Sequence, residues 1–255
     1  MRFALLGSGS KGNGTLVEEG KTCVLVDCGF TLRETEQRLA RLGKSASQLS
    51  AIMLTHEHQD HLGGVGPLAR KYRIPVWLSD GTARAAAHRL GSLPEIRLLN
   101  CHREFAIDAL QVQPFPVPHD AREPCQFVFG NGQHRLGVLT DTGHPTAHIA
   151  RQLSGCDALI LECNHDEAML ADGPYPPRLR ARVGGGMGHL SNAQAGQLLS
   201  QLDNKSLQHL VAAHLSEQNN RPELAAAALS AVLECESGWI GLADQDHGLD
   251  WREIA

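Results

Sequence analysis

The residues best suited to chemistry lie in one short run, Thr55-His56-Glu57-His58-Gln59-Asp60-His61-Leu62-Gly63-Gly64. Three imidazoles and a carboxylate this close together match the donor preferences of a borderline divalent metal such as zinc or manganese. An apolar run, Ser50-Ala51-Ile52-Met53-Leu54, leads in with strand character, and Val65 to Tyr72 follows as a helix closed by Ile74-Pro75. The cluster therefore falls on a strand-to-helix turn. On extended backbone alternate residues share a side, so His56 and His58 point one way, and the turn can swing Asp60 and His61 toward a neighbouring point. Two diverging donor pairs suit two ions better than one.

Other chemistry-bearing residues are scattered along the chain. Pro116-Val117-Pro118-His119 places an imidazole at a strand end, where rigid backbone can offer a third nitrogen to His56 and His58. Thr140-Asp141-Thr142-Gly143 puts a carboxylate before a glycine turn, from which its two oxygens can each meet a different ion. A buried-looking strand ends in Glu162 and is followed by Cys163-Asn164-His165-Asp166, with His165 open between cleft and structure. The alternate arginines Arg178, Arg180 and Arg182 read either as a solvated face or as a strip that tracks phosphates beside the cleft. The run Gly184 to Gly188 presents His189 just before a helix capped by Ser191 or Asn192, and His214 ends the strand Leu207 to Ala213. Near the start, Gly7, Gly9 and Gly12 with Asp27 formally match a dinucleotide fingerprint. That match requires a following helix, and a hairpin follows instead. The glycines then form either a plain turn or a loop whose Ser8, Ser10 and Asn13 line a cleft and touch phosphate.

The elements that must position these residues read as an α/β fold. Strands are expected around Arg2 to Leu6, Thr15 to Glu18, Thr22 to Asp27, Val76 to Leu78 and Leu110 to Phe115, and again at Arg135 to Leu139, Asp157 to Glu162 and Leu207 to Ala213. Helices are expected over Thr31 to Leu42, Asp80 to Leu90, Ala193 to Leu202 and Pro222 to Leu233. Strand–helix–strand units feeding a run of hairpins suit two mixed sheets packed face to face with helices outside. The chain has 255 residues and 42% hydrophobic content, enough for one domain spanning residues 1–255. A net charge of -5 gives no global basic field, so a nuclease would need local basic patches or metal ions to hold phosphates. The seven cysteines lack any C-x-x-C pair and read as reduced thiols of a cytoplasmic protein. Met1 to Leu6 runs straight into glycines, as a first strand does and a signal peptide does not. No apolar run is long enough to span a membrane.

The Thr55–Gly64 run resembles the metal-binding signature of the metallo-β-lactamase superfamily. Pro118-His119-Asp120-Ala121, the stretch from Glu162 through Asp166 to Tyr175-Pro176 and Arg182, and Gly188-His189-Leu190-Ser191-Asn192 resemble one branch of it, the YycJ/WalJ-like exonucleases, which are related to ribonuclease Z and the PhnP-type phosphodiesterases. The resemblance implies an αββα sandwich holding two divalent ions, zinc or manganese. One ion would take His56, His58 and His119, the other Asp60, His61 and His214, with Asp141 bridging. It implies hydrolysis of phosphodiesters, with hydroxide held between the ions attacking phosphorus. His189, oriented by Glu162, would act as general acid, with Asp60 also counted among the catalytic residues. Asp27 would support the ligands and could also cap the helix from Thr31, the supporting role being the favoured one. The glycine loop would use Ser8, Ser10 and Asn13 for substrate, with His165 and the three arginines as further contacts. Nucleic acid, DNA above RNA, is the expected substrate, and a small cyclic phosphodiester is the alternative. A glyoxalase II-type thioesterase fits less well, because a thiolate leaves without protonation and needs no His189. The position where common β-lactamases carry a cysteine ligand has none here, which argues against antibiotic hydrolysis. The stretch between Asp141 and His214 is too short for the cap domain of β-CASP nucleases.

Overall fold

The first strand is apolar on both sides: Phe3, Ala4, Leu5 and Leu6 are all buried, so its sheet needs cover on two faces. The computed structural model, which describes residues 1–255, provides that cover as four layers, helix, sheet, sheet, helix. The first half of the chain contributes β1 (Arg2–Gly7), β2 (Gly14–Glu19), β3 (Thr22–Val26), α1 (Leu32–Arg41), β4 (Ala51–Met53), α2 (Gln59–Leu62), α3 (Val65–Tyr72), β5 (Val76–Ser79), α4 (Asp80–Leu90) and β6 (Ile96–Leu99). The second contributes β7 (Phe105–Ile107), β8 (Leu110–Pro116), β9 (Cys125–Gly130), β10 (Arg135–Leu139), α5 (Ala147–Leu153), β11 (Ala158–Glu162), α6 (Glu167–Asp172), α7 (Pro177–Val183), α8 (Asn192–Ser200), β12 (His209–Ala213), α9 (Pro222–Leu233) and β13 (Gly241–Leu242). A last strand, β14 (Leu249–Glu253), returns to pair antiparallel with β1. The sheets run in the orders β14-β1-β2-β3-β4-β5-β6 and β13-β12-β11-β10-β9-β8-β7.

Strand alternation decides which layer each side chain fills. Phe3, Leu5, Val24 and Met53 of the first sheet meet Phe127, Phe129, Val138 and Ile160 of the second. The alternate residues Ala4, Leu6, Leu25 and Ile52 face outward onto Leu39 of α1 and Leu68 of α3. Leu161 and Leu210 do the same against Leu198 of α8 and Leu229 of α9. Leu39 is fully buried, so Leu39→Ala should cost about 2–5 kcal/mol and loosen α1 from its sheet. α1 starts at a reciprocal cap in which Thr31 accepts from Glu34 N and Glu34 reaches back to Thr31 N. Asp27 is therefore not the cap.

β3 and β4 are parallel, and so are β10, β11 and β12. Their C-terminal ends consequently open on one side within each sheet, which is where the polar residues gather. Three helices, α5, α6 and α7, occupy stretches for which the sequence pattern gave no element. No helix is long and apolar enough to cross a membrane.

Candidate metal centre and active site

The chemical groups sit just past strand ends: Asp27 after β3, His56 and His58 after β4, His119 after β8, Asp141 after β10 and His214 after β12, with Glu162 as the last residue of β11. Asp27, Asp141 and His214 all have left-handed backbone, with φ of 60°, 51° and 56°. Non-glycine residues seldom adopt that region, and at these positions it turns the chain sharply out of its strand. Asp60 and His61 ride on α2. A Cβ on Gly29 would run into the Asp60 carbonyl, so only glycine lets the chain after β3 pass beneath α2.

The donor atoms converge in overlapping groups. Those of His56, His58 and His119 lie within 4.8 Å of one another, as do those of Asp60, His61 and His214. Asp141 stands between them, with Oδ2 3.2 Å from His61 Nε2 and Oδ1 3.9 Å from His119 Nε2. His56 Nε2, His214 Nε2 and Asp141 Oδ2 are buried and have no hydrogen-bond partner. Leaving such an atom unpaired costs about 1–3 kcal/mol. Orphans that belong to a single cluster of imidazole and carboxylate donors are what a divalent metal site requires, and the residues fit one.

The far side of every ring except that of His58 is braced. His61 Nδ1 lies 2.8 Å from Asp27 Oδ2. The Thr55 hydroxyl donates to the same oxygen and lies 3.0 Å from His56 Nδ1. His119 Nδ1 meets the Gly188 carbonyl at 3.0 Å. Glu162 Oε1 takes two rings at once, His189 Nδ1 at 2.8 Å and His214 Nδ1 at 3.0 Å, while Oε2 accepts from the backbone of Thr142 and Leu190. This network assigns the proton of His56, His61, His119 and His214 to Nδ1 and leaves Nε2 free to act as a donor atom toward a metal.

The two groups differ in charge. Burial, reinforced by neighbouring imidazoles, pulls His56 and His58 below the usual histidine range. Burial acts on His61 and His214 in the same sense, but the surrounding carboxylates, Asp141 first, outweigh it. His61 rises well above its ordinary value and His214 to about 10. Burial would raise Asp60, Asp141 and Glu162. The charge of His61 outweighs it at Asp60, that of His214 at Asp141 and that of His189 at Glu162, which falls to about 2.

Over this floor opens a cavity of about 350 Å³. His58, Asp60, Asp141, His189 and His214 form its base, and Tyr175, Leu179, Arg182 and Val183 its wall. Of the expected substrate contacts, Ser10 lines it. Ser8 and Asn13 are buried and bonded within the chain: Ser8 Oγ accepts from His214 N, and Asn13 Nδ2 lies 3.1 Å from His61 Nε2 and 3.3 Å from Asp60 Oδ2. They brace the backbone of His214 and the side chains of Asp60 and His61. The three arginines do not form a strip. They lie on helix α7, where Arg178 and Arg182, four residues apart, share a side and Arg180, two from each, diverges from both. Arg182 reaches the cleft and pairs with Asp120 at 2.5 Å, Arg180 bonds the Ala171 carbonyl, and Arg178 is exposed. His165 lines a separate hollow with Arg180 and Ser191. The reading of the sequence missed Thr55 as a brace, the second ring held by Glu162, and Tyr175 with Leu179 as cleft residues. Adjacency to His56 was the one available signal for Thr55.

A model of the beta-lactamase superfamily domain matches residues 22–214. Exodeoxyribonuclease YycJ of Bacillus anthracis is 34% identical over 252 residues, 98% of this chain and 96% of that one. Exodeoxyribonuclease WalJ of Streptococcus pneumoniae is 32% identical over 228 residues, 88% of this chain and 85% of its own. The crystal structure of the metallo-beta-lactamase fold protein YhfI from Bacillus subtilis superimposes with a TM-score of 0.77 over 98% of both chains, at 17% identity, a likeness of fold. Strand-end donors, an αββα sandwich and full-length similarity agree, and the chain belongs to the metallo-beta-lactamase-fold branch of the beta-lactamase superfamily, in the family of the YycJ and WalJ proteins.

Proposed function

We propose that the protein is a metal-dependent phosphodiesterase that removes nucleotides from DNA ends. The observation that carries this reading is His189, held by Glu162 at 2.8 Å on the same cleft as the two donor groups. A phosphodiester with a sugar leaving group needs both an electrophilic centre and a proton source, and the cleft offers residues for each. Full-length similarity to exodeoxyribonucleases supports DNA as the polymer. His56, His58 and His119 would hold one divalent ion and Asp60, His61 and His214 a second, with Asp141 shared and zinc or manganese the metals suited to these donors. Bound there, such ions supply Lewis acidity and a nucleophile at neutral pH. The remaining work falls to side chains. Glu162 accepts from His189 Nδ1–H and fixes the ring, so that His189, when it carries a second proton on Nε2, can pass that proton to the departing oxygen. Arg182, at the cleft edge, offers its guanidinium to phosphate oxygens. A cytosolic setting accords with the seven free cysteines, of which all but Cys235 are buried.

The test is digestion of end-labelled single-stranded DNA, duplex DNA and RNA, beside bis-p-nitrophenyl phosphate and a small cyclic phosphodiester, with zinc and with manganese. Mononucleotides released from DNA ends are the expected result. Turnover of small cyclic phosphodiesters with DNA left intact would overturn the nuclease reading in favour of a small-molecule phosphodiesterase.

A further inference from the structure

The two sheets end on β14, β6, β13 and β7, and three of these edges are protected. β13 and β7 are only two and three residues long. β14 carries exposed Asp250, Arg252 and Glu253, charges of the kind that keep an open edge from pairing. β6 has neither defence. Its Ile96 and Leu98 are 53% and 58% exposed, more than any other large apolar side chain of the protein. In the ladder with β5, Ile96 lies beside Val76 and Leu98 beside Leu78. Val76 and Leu78 are buried against the helix layer, so Ile96 and Leu98 continue that apolar row past the end of its cover.

The backbone of β6 is open on the same edge. The Glu95 carbonyl accepts from Val76 N, so Glu95 and Arg97 turn their polar backbone groups toward β5. Those of Ile96 and Leu98 alternate with them and point off the end of the sheet, where another strand can bond them.

Charge decides which strand fits. Two copies of β6 can meet antiparallel about a two-fold axis through Ile96, Arg97 or Leu98. Through Arg97, two guanidiniums would face each other, which is repulsive. Through Leu98, Arg97 would face the buried Leu99 of the other copy. Through Ile96, each Arg97 faces the Glu95 of the other copy, Ile96 faces Ile96, and Leu98 faces the exposed Pro94. Within one chain Arg97 Nε lies 2.6 Å from Glu95 Oε1 and both side chains are half-exposed, so the two charges already share a side of the strand and can exchange partners. Pro94 has no N–H and ends the ladder.

We propose that β6 is a dimer interface, at which two copies of the chain join edge to edge about Ile96 and turn two seven-stranded sheets into one continuous sheet. The contact is isologous and therefore closed, so it uses up the open edge instead of propagating it. None of these residues lines the metal-donor cleft, so the interface and the metal centre can be tested separately.

The experiment is light scattering on the metal-loaded protein after size exclusion, over a dilution series. The wild type should have the mass of two chains when concentrated and of one when dilute. Leu98→Lys should raise the dissociation constant at least about 100-fold, because a tenfold penalty at one site occurs twice in a two-fold dimer. Glu95→Arg and Arg97→Glu each set like charges face to face and should be monomeric alone. Mixed, they should form a heterodimer, in which every facing pair is opposite in sign. Arg97 also lies over the Trp77 ring, 5.2 Å from its centroid. Should Arg97→Glu fail to fold for that reason, Leu98→Lys and Glu95→Arg decide the matter. A wild type with the mass of one chain at every concentration, a dimer unaffected by Leu98→Lys and Glu95→Arg, or a mixture of folded variants that stays monomeric would overturn the proposal.

Discussion

The floor and the wall of the cleft are built in opposite ways. On the floor, His56, His61, His119, Asp141 and His214 are all buried, and each imidazole is held at its far nitrogen by a carboxylate, a hydroxyl or a carbonyl. On the wall, α7 has no buried residue, and Arg180 diverges from the side that Arg178 and Arg182 share. The floor is rigid because donor atoms must sit within tenths of an ångström of a working geometry, and braces from Asp27, Thr55 and Glu162 provide that. The wall holds no such donor cluster and carries no comparable set of braces. Substitutions on the floor should therefore abolish chemistry, and those on the wall should change how tightly substrate is held and at what salt.

Asp141→Ala tests the floor most severely. Asp141 lies between both donor groups, so its loss should remove both ions and essentially all activity, whereas His214→Ala should spare the group of His56, His58 and His119. Elemental analysis of the purified variants reads this directly. A full complement of metal in Asp141→Ala would mean that the floor is two independent sites.

His189 comes next. A sugar alkoxide is a poor leaving group, so His189→Ala should lose roughly 10²–10⁴ in kcat/KM on DNA. p-Nitrophenolate leaves unaided, so the same variant should lose far less on bis-p-nitrophenyl phosphate and keep its metal. Equal losses on both substrates would reduce His189 to a phosphate contact and move it, in effect, from floor to wall.

Asp27 touches no substrate in this scheme, yet Asp27→Asn should weaken metal binding about 10- to 100-fold, because it orients His61 directly and His56 through Thr55. The same bracing sets a pH dependence. In the metal-free protein His214 is raised from 6.5 to about 10, so its proton stabilises the fold fully below pH 6.5 and that contribution is lost as pH rises through about 10. An ion needs that nitrogen bare, so metal uptake must displace the proton. The increase in Tm caused by zinc or manganese should consequently grow across this window. A metal-induced shift that stays flat with pH would show that the carboxylate-braced histidines do not carry the proton.

The contrast between floor and wall also governs what could be read from the sequence. His56, His58, Asp60 and His61 announce themselves because metal chemistry restricts donors to a few residue types and the turn packs them together. Asp141 stands out through its glycine turn. Nothing comparable marks the braces. That Glu162 holds His214 as well as His189 depends on β11 and β12 being neighbours, a fact of topology. Ser8 and Asn13 looked like phosphate contacts because their types suit that role, but the tight loop after β1 turns them inward. The wall was least legible of all. Arg178-Leu179-Arg180-Ala181-Arg182-Val183 alternates with the period of a strand, and a helix that buries nothing carries no 3.6-residue pattern to reveal it. The reading of three arginines as one strip failed for that reason.

The smallest expected effect separates those arginines. Arg182 lines the cleft, and its pairing with Asp120 holds the side chain in place although much of it is exposed to solvent. Arg178, one turn before Arg182, is exposed and does not line the cavity, and Arg180 is directed at the Ala171 carbonyl. If phosphate contacts are confined to the cleft side of α7, Arg182→Gln should flatten the log–log dependence of single-stranded DNA binding on salt by about 0.7, the value for one lost contact, and weaken binding evenly across sequences. Arg178→Gln should leave the slope as it was. Metal content is the control for Arg182→Gln, because Asp120, whose Oδ1 lies 3.6 Å from His119 Nε2, loses the partner that holds its Oδ2. Binding isotherms over a salt series give the slopes. Equal flattening by both variants would mean that the strand contacts the Arg178 turn of α7 as closely as the cavity edge, and lining the cavity would then give Arg182 no special part in holding phosphate.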